Sequence, residues 1–346
     1  MEWFEKLTGF QESDYESTRA QLGVTGTALQ SAANGRSFQI GQFELVTLRE
    51  LRQRAGTAPA PSNPGTFSVI RSDVRPMHSL PVYSGALFQV ASQCNALEMV
   101  GPTITPEDGV TRYAFDRTQG PACAIAAGAA TIYRNYFVPV DGQVGQTRKR
   151  QLDSLASLGR TLSALLGSPV HALWDMRNGY AMCTRAGLDA ISRLLADASA
   201  EQIDELRAEI GVAVQWDVEV TDGLTGSGDS DTSGPLVSQV FCSALPVGYS
   251  DVAARHWAPF ATLVLEAIYE ATLLAASCNA SRGGSSIVLL TSVGGGAFGN
   301  DPAWIYAAMR RALASDASRG LDIRLVSYQA PSPEVKRLEA EFRRDA

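Results

Sequence analysis

A run of glycines at residues 294–299 has the composition of an anion-binding loop. It reads GGGAFG, follows the apolar stretch 285–293 and precedes a helix that we predict to begin at Asp301. Asp301 is a favourable N-cap, and Pro302 is a favourable first helical residue. Backbone N–H groups at a helix start attract anions, and the missing side chains let a phosphate approach closely. The alternative is a tight connection in which the glycines only adopt positive φ angles.

The same six residues also satisfy G-x-G-x-x-G, the dinucleotide-binding pattern of NAD-dependent oxidoreductases. Only one strand is predicted after the loop, and it ends in Tyr328 and Gln329, where a ribose-binding Asp or Glu would be needed. Asp322 lies at the other end of that strand. An NAD-dependent oxidoreductase therefore remains an alternative that rests on the glycine pattern alone.

The composition is that of a globular protein. The 346 residues are 45% hydrophobic and 19% charged, and no apolar run is long enough to cross a bilayer, so we expect no membrane association. Residues 1–6 have neither the basic nor the apolar region of a signal peptide, which predicts a cytoplasmic protein. The formal net charge of −7 argues against a general electrostatic attraction to nucleic acid, although a local basic patch remains possible.

Metal-binding and nucleophile patterns are missing from the sequence. The five cysteines form no C-x-x-C pair, and the three histidines are scattered without ligand spacing. The acidic stretch 221–235 lacks the alternating oxygen ligands of a calcium loop, and no G-x-S-x-G occurs. We therefore predict neither a metal nor a cofactor, and we do not expect acyl transfer.

Strands and helices alternate along the C-terminal third, which predicts a largely parallel sheet covered on both faces. An upstream apolar strand within 85–102 ends in polar Ser92, Gln93 and Asn95, and a following helix has Pro121 near its first position. The other predicted elements are helices at 15–22, 148–166, 187–197 and 200–210, strands at 37–48 and 212–220, a linker at 55–66, and a hairpin turning at Asn178-Gly179.

The stretches "LVSQVFCSALPVGY" and "SSIVLLTSVGGGAFGNDPAWIYAAMRRAL", with the helix between them, resemble the C-terminal half of a macro domain. Within that superfamily "GGGAFGND" is most similar to the diphosphate loop of the poly(ADP-ribose) glycohydrolase branch. The resemblance implies a three-layer α/β/α fold with a mixed sheet in a single domain, residues 1–346. Its core would be residues 84–135 and 236–329, with an N-terminal extension at 1–80 and an insertion at 136–235.

The resemblance also implies a ligand, ADP-ribose or an ADP-ribosylated macromolecule. Backbone amides of the glycine loop would wrap the diphosphate, and Phe298 would pack against the ribose or the adenine. The strand "FQVASQCNALEM" is similar to the macro-domain strand whose terminal asparagine contacts the distal ribose, which makes Asn95 the ribose candidate. The predicted ligand-binding residues are Asn95, Gly294, Gly295, Gly296, Ala297, Phe298, Gly299 and Asn300.

Hydrolysis of the glycosidic bond at the distal ribose needs a carboxyl group, because its transition state resembles an oxocarbenium ion. The glycohydrolase branch supplies adjacent glutamates at a helix start, whereas this sequence has "DRTQGPACAI" there. The candidate catalytic residues are Asp116, Glu98 and Gln119, with Glu107 and Asp108 further back in the loop. We expect an ADP-ribosyl hydrolase, with a non-catalytic ADP-ribose-binding module as the alternative.

Overall fold

The structure, a computed structural model, describes residues 2–56, 63–223 and 233–343. Its strands are β1 (Leu22–Thr25), β2 (Ala28–Ser31), β3 (Ser37–Gln39), β4 (Gln42–Thr47), β5 (Thr66–Arg71), β6 (Leu87–Ala91), β7 (Pro139–Val140), β8 (Gln143–Val144), β9 (Trp174–Arg177), β10 (Tyr180–Cys183), β11 (Gly211–Glu219), β12 (Leu236–Cys242), β13 (Ile287–Leu290) and β14 (Asp322–Ser327).

Helices surround these strands. They are α1 (Trp3–Thr8), α2 (Tyr15–Ala20), α3 (Leu48–Ala55), α4 (Val74–Met77), α5 (Gln119–Ala126), α6 (Gly128–Tyr136), α7 (Ala156–Leu166), α8 (Val170–Leu173), α9 (Arg185–Asp197), α10 (Ala200–Ala208), α11 (Ala254–Ser281), α12 (Pro302–Ala314) and α13 (Pro333–Phe342).

The central sheet has seven strands in the order β4-β11-β12-β6-β13-β14-β5. The five strands from β12 to β5 are parallel to one another, whereas β11 is antiparallel to both of its neighbours, β12 and β4. The predicted α/β fold with a mixed sheet is therefore confirmed. Because β6, β12 and β13 are parallel neighbours, their carboxyl ends meet at one edge of the sheet.

Both faces of the sheet are covered, because successive side chains of each strand point to opposite faces. On β6, Leu87 joins the apolar core that contains α11, whereas Phe88 and Val90 join a second core with residues of α5 and α6 such as Cys123 and Ala130. The helices thus form one layer on each side of the sheet, as parallel strands require.

Helix α11 passes through the larger core. By length and composition it is the one helix of the described residues that could cross a membrane, but 83% of its apolar window is buried inside the protein. That burial is typical of a core helix. Its flanks are covered by α3, α9, α10 and α12.

Several predicted boundaries need correction. The strand predicted at 37–48 is two strands, because the chain turns at Gly41, which has φ +65° and lies against the backbone of Trp216. The helix predicted at 148–166 begins only at Ala156. Strand β5, at the edge of the sheet, was not predicted. Most of the predicted linker at 55–66 and of the acidic stretch 221–235 lies outside the described residues.

The segments predicted as extension and insertion are parts of the central sheet. Residues 1–80 supply β4 and β5, and residues 136–235 supply β11, which lies between β4 and β12. Strand β11 is buried on both faces apart from Asp217, rather than half-buried as its alternation predicts. The sheet therefore depends on both segments; the single-domain assignment stays a prediction.

Candidate functional site

A cleft of about 700 Å³, including its open mouth, lies at the carboxyl ends of the parallel strands. Its walls are the end of β6 with the residues after it, the first turn of α5, and the loop after β13. Clefts at this edge of an open α/β sheet commonly bind small ligands. Seven of the predicted site residues line it: Glu98, Asp116, Gln119, Gly294, Gly296, Ala297 and Phe298.

The glycine loop, residues 294–299, presents backbone donors that the protein does not use. The N–H of Gly295 donates to the carbonyl of Ser292, just before the loop, and the N–H of Gly299 donates to the carbonyl of Gly296 within it. No acceptor in the described ranges takes the N–H groups of residues 294, 296, 297 and 298. Unpaired amides from successive loop residues form the kind of concave donor site that binds phosphate oxygens.

The glycines of this loop differ in what they permit. Gly294 has φ +81°, and a Cβ there would lie 2.5 Å from Cβ of Ala244 and 2.8 Å from Nδ2 of Asn300. A Cβ on Gly296 would meet nothing within 4 Å. Gly294 therefore fixes the shape of the loop, whereas Gly296 leaves open space in the cleft wall.

Three predicted ligand contacts of this loop do not line the cleft: Gly295, Gly299 and Asn300. Asn300 is 3% exposed, and its Nδ2 donates to the carbonyl of Leu245 at 2.8 Å. Its Oδ1 is buried with no partner in the part of the chain that the structure describes. Asn300 thus supports the loop from behind, and Asp301 caps α12 by accepting the N–H of Ala303.

An aromatic cluster adjoins the glycine loop. Phe298, Tyr180 and Tyr249 lie with ring centroids 5.1 to 5.7 Å apart, and all three line the cleft. Tyr180 is 1% exposed, and its hydroxyl donates to the carbonyl of Met99 at 2.6 Å. The sequence does not single out either tyrosine; only the Asn178-Gly179 turn fixes the strand on which Tyr180 lies.

Glu98 lies at the floor of the cleft with no exposed side-chain area. Its Oε2 is 3.4 Å from Nη2 of Arg134, and its Oε1 is buried without a partner among the described residues. Burial raises the pKa of Glu98 to about 7, and the neighbouring Arg134 cation opposes that rise. A carboxyl group with this pKa is present in both protonation states near neutral pH, as a general acid or base needs.

Asp116 is the second carboxylate of the cleft. It is half-buried just before α5, and its Oδ1 accepts the N–H of Thr118 at 2.8 Å. This hydrogen bond is a local turn that leads the chain into the helix. Asp116 is therefore reachable from the cleft mouth, but one of its oxygens is already in use.

Gln119 is a structural residue in this geometry. Its Oε1 accepts the N–H of Ala91 at 2.8 Å, and its Nε2 donates to the carbonyl of Gln89 at 2.8 Å. The amide thus pairs with the end of β6 as a neighbouring strand would. Although Gln119 lines the cleft, both ends of its side chain are occupied, which argues against the predicted catalytic role.

Asn95 does not line the cleft, contrary to its predicted contact with a distal ribose. It is fully buried, its Nδ2 donates to Gln151 at 2.8 Å, and its Oδ1 accepts the N–H of Leu97 at 3.1 Å. Its short side chain stabilises the turn after β6. Glu107 and Asp108 are likewise committed elsewhere, to the N–H groups of Arg148 and Thr105.

The cysteines lie inside the fold, apart from the partly exposed Cys278. Burial raises the pKa of each thiol, which disfavours the reactive thiolate. Among residues 2–56, 63–223 and 233–343, no group of three or more His, Cys, Asp or Glu could hold a metal ion.

No protein-family model matches this chain, and no curated protein matches it significantly. Solved structures of poly(ADP-ribose) glycohydrolases are similar to it in fold. The enzyme of Deinococcus radiodurans in complex with ADP-ribose is 14% identical, covers 86% of this chain and 91% of its own, and has a TM-score of 0.42. The enzyme of Thermomonospora curvata bound to the inhibitor ADP-HPD is 12% identical, covers 91% and 93%, and has a TM-score of 0.43.

The identities of these structures with this chain are 12% to 15%, so the likeness concerns the fold and not the roles of individual residues.

Proposed function

We propose that the cleft binds ADP-ribose, with the diphosphate on the glycine loop and the distal ribose above Glu98. The observation that carries the proposal is the set of unpaired N–H groups at residues 296–298 in the same cleft as a buried carboxyl group with an unpartnered oxygen. A diphosphate needs several donors, and these three successive N–H groups offer them, one of them on Gly296, whose missing side chain leaves open space in the cleft wall.

The aromatic cluster of Phe298, Tyr180 and Tyr249 supports a nucleotide rather than a bare diphosphate. Phe298 and Tyr249 are partly exposed beside the loop, while Tyr180 is buried beneath them. Stacking of a base on an exposed aromatic ring contributes about 1–3 kcal/mol. The buried tyrosine fixes the position of the two rings that a base would touch.

The proposed activity is hydrolysis of the glycosidic bond at the distal ribose. Ionised Glu98 takes a proton from a water molecule at the cleft floor while the water oxygen bonds to the anomeric carbon. The bond from that carbon to the attached group breaks. The departing atom keeps the electron pair and takes up a proton from solvent at the open mouth. Because the Glu98 side chain has no exposed area, this step requires the cleft floor to open enough for a water molecule to contact Oε1.

A non-catalytic ADP-ribose-binding module is the second candidate. Two observations favour it: the stretch DRTQGPACAI, residues 116–125, has Gln119 but no adjacent glutamates where the resemblance implies them, and Glu98 is fully covered. The NAD-dependent oxidoreductase has less support, since β14 ends in Ser327 without a carboxylate and Asp322 pairs with Arg324 at its start.

Calorimetric titration with ADP-ribose, AMP and ADP tests the binding site. We expect ADP-ribose to bind more tightly than AMP, because AMP lacks the second phosphate and the distal ribose. Equal affinities for ADP-ribose and AMP, or no binding of either, would contradict the assignment of the glycine loop to a diphosphate.

An assay with ADP-ribosylated protein and with poly(ADP-ribose) tests the activity. The quantity measured is the free ADP-ribose that is released. We expect Glu98→Gln to lower turnover by about 10²–10⁴-fold with little change in ADP-ribose affinity. Asp116→Asn is the matched control and keeps most of the turnover. If Asp116→Asn loses turnover and Glu98→Gln keeps it, Asp116 is the catalytic carboxylate instead. If the unsubstituted protein binds ADP-ribose but shows no turnover, the non-catalytic binding module is favoured.

A further inference from the structure

Arg134 on α6 is buried without any exposed side-chain area and is fixed from several directions. Its Nε donates to the carbonyl of Ala96 at 2.9 Å, its Nη1 to Gln215 at 3.0 Å and its Nη2 to Thr131 at 3.1 Å. Its guanidinium carbon lies 3.9 Å from the ring centroid of Phe241. The planar guanidinium group is therefore held in one orientation by the loop after β6, by α6 and by the sheet.

The same Nη2 contacts Oε2 of Glu98 at 3.4 Å. Since Arg134 cannot turn, this contact fixes one oxygen of the carboxyl group and leaves Oε1 as the unpartnered one. A buried ion pair of this kind is weak evidence for a contribution to stability, because removing two charges from water costs several kcal/mol per ion. A pair of apolar side chains would fill the same space without this desolvation cost.

We propose that Arg134 is a positioning residue for Glu98, holding Oε2 below the cleft floor so that Oε1 is the oxygen that exchanges a proton with the reacting water. This inference rests on the proposed function, since it assigns the site's carboxyl group its orientation and its proton-exchanging atom. Arg134 itself touches no ligand in this arrangement; it acts through Glu98.

In the part of the chain that the structure describes, three titratable groups interact with Glu98. They are Arg134 from α6, Tyr113 from the turn before α5, and Cys123 from α5. Burial raises the pKa of Tyr113 and of Cys123 well above their ordinary values, so both stay neutral through the physiological range. Arg134 is thus the charge among them that acts on the titration of Glu98, and it favours the ionised carboxylate.

The direct test is a carbon-13 NMR titration of the Glu98 carboxyl carbon, assigned by its loss in Glu98→Gln. In Arg134→Gln we expect the titration midpoint to rise by about 1–3 pH units, because the opposite charge is removed. Arg134→Lys, which keeps a charge but loses the fork of donors, should give a smaller rise. Arg112→Gln is the matched control, since Arg112 is a partly exposed arginine paired with Asp108, and it should leave the midpoint unchanged.

A measurement on the unsubstituted protein covers the case in which the variants do not fold. The Arg134 Nε–H signal in proton–nitrogen spectra should shift with pH at the same midpoint as the Glu98 carboxyl carbon. Different midpoints, or a Glu98 midpoint unchanged in both Arg134 variants, would overturn the positioning role.

Kinetics separate this inference from the proposed function. We expect Arg134→Lys to lower kcat, with KM nearly constant, and to shift the rise of kcat with pH towards higher pH. The NMR titration needs no ligand or turnover. If the Arg134 variants shift the Glu98 midpoint but the unsubstituted protein shows no turnover, the proposed hydrolysis is contradicted. The coupling of Arg134 to Glu98 would still stand.

Discussion

The first turn of α5 lies so close to the end of β6 that a Cβ built on Gly120 would overlap the carbonyl oxygen of Ala91. The same Cβ would lie 3.1 Å from Cγ of Glu98. A glutamate at position 120 would therefore require the helix to move away from the strand. Instead the carboxyl group of Glu98 reaches the same region from the loop after β6.

Gly120→Ala should destabilise the fold. The added methyl group meets backbone that cannot give way, and overpacking of this kind costs about 1–3 kcal/mol. Gly296→Ala is the matched control, because its Cβ enters open space, and it should change the free energy of unfolding by less than about 0.5 kcal/mol. Urea unfolding of both variants checks this expectation. Equal stability of the two would mean that α5 adapts without cost.

Gly296→Glu should abolish ADP-ribose binding and leave the fold intact. The new side chain has room at its Cβ, and it would bring a negative charge to the loop that is proposed to hold the diphosphate. Calorimetry with ADP-ribose measures the loss, and circular dichroism verifies the fold. Gly296→Ala should bind within a few-fold of the unsubstituted protein. Retained affinity in a folded Gly296→Glu variant would remove the glycine loop from the site.

Local patterns were sufficient to predict the glycine loop, the cap at Asp301 and the Asn178-Gly179 hairpin. These features are set by residues adjacent in sequence, through backbone freedom and capping. Strand β5 and the membership of β4 and β11 in the central sheet were not predicted. Their partners lie far away in sequence; Gln42, for example, pairs with Trp216. The pairing therefore depends on tertiary contacts, which a short stretch of sequence does not reveal.

Two of the polar residues after β6 illustrate the same limit within the site. Asn95 and Glu98 are three positions apart, and either could face a ligand. Gln151, which is 56 residues away, binds the Asn95 side chain, and Arg134 on α6 binds Glu98. Which residue remains available is thus decided by contacts from other elements. The sequence predicted Asn95 as the ribose contact and Glu98 as one of several carboxylate candidates, and it could not reveal these contacts.

Gln119→Met should destabilise the end of β6. It removes the acceptor of the Ala91 N–H and the donor to the Gln89 carbonyl, and each buried backbone group left unpaired costs about 1–3 kcal/mol. Gln21→Met is a suitable control, because the Gln21 side chain makes a single long, exposed hydrogen bond among the described residues, to the carbonyl of Ser17. Thermal unfolding should show a clear fall in Tm for Gln119→Met only. An unchanged Tm would mean that water replaces the amide, and the catalytic role of Gln119 would need to be reconsidered.

The free energy of unfolding should depend on pH through the titration of Glu98. Its pKa in the folded protein is about 7, above the ordinary value of 4.5, so the folded state binds the proton more tightly than the unfolded state. Between these two values the free energy of unfolding should therefore fall as the pH rises, by up to about 1.4 kcal/mol per pH unit for one proton. Above pH 7 this contribution should be constant. Urea unfolding of the unsubstituted protein and of Glu98→Gln from pH 4 to 9 measures the difference. Glu98→Gln should lack this fall, and parallel curves for the two proteins would show that Glu98 titrates normally and has no unusual environment to use in catalysis.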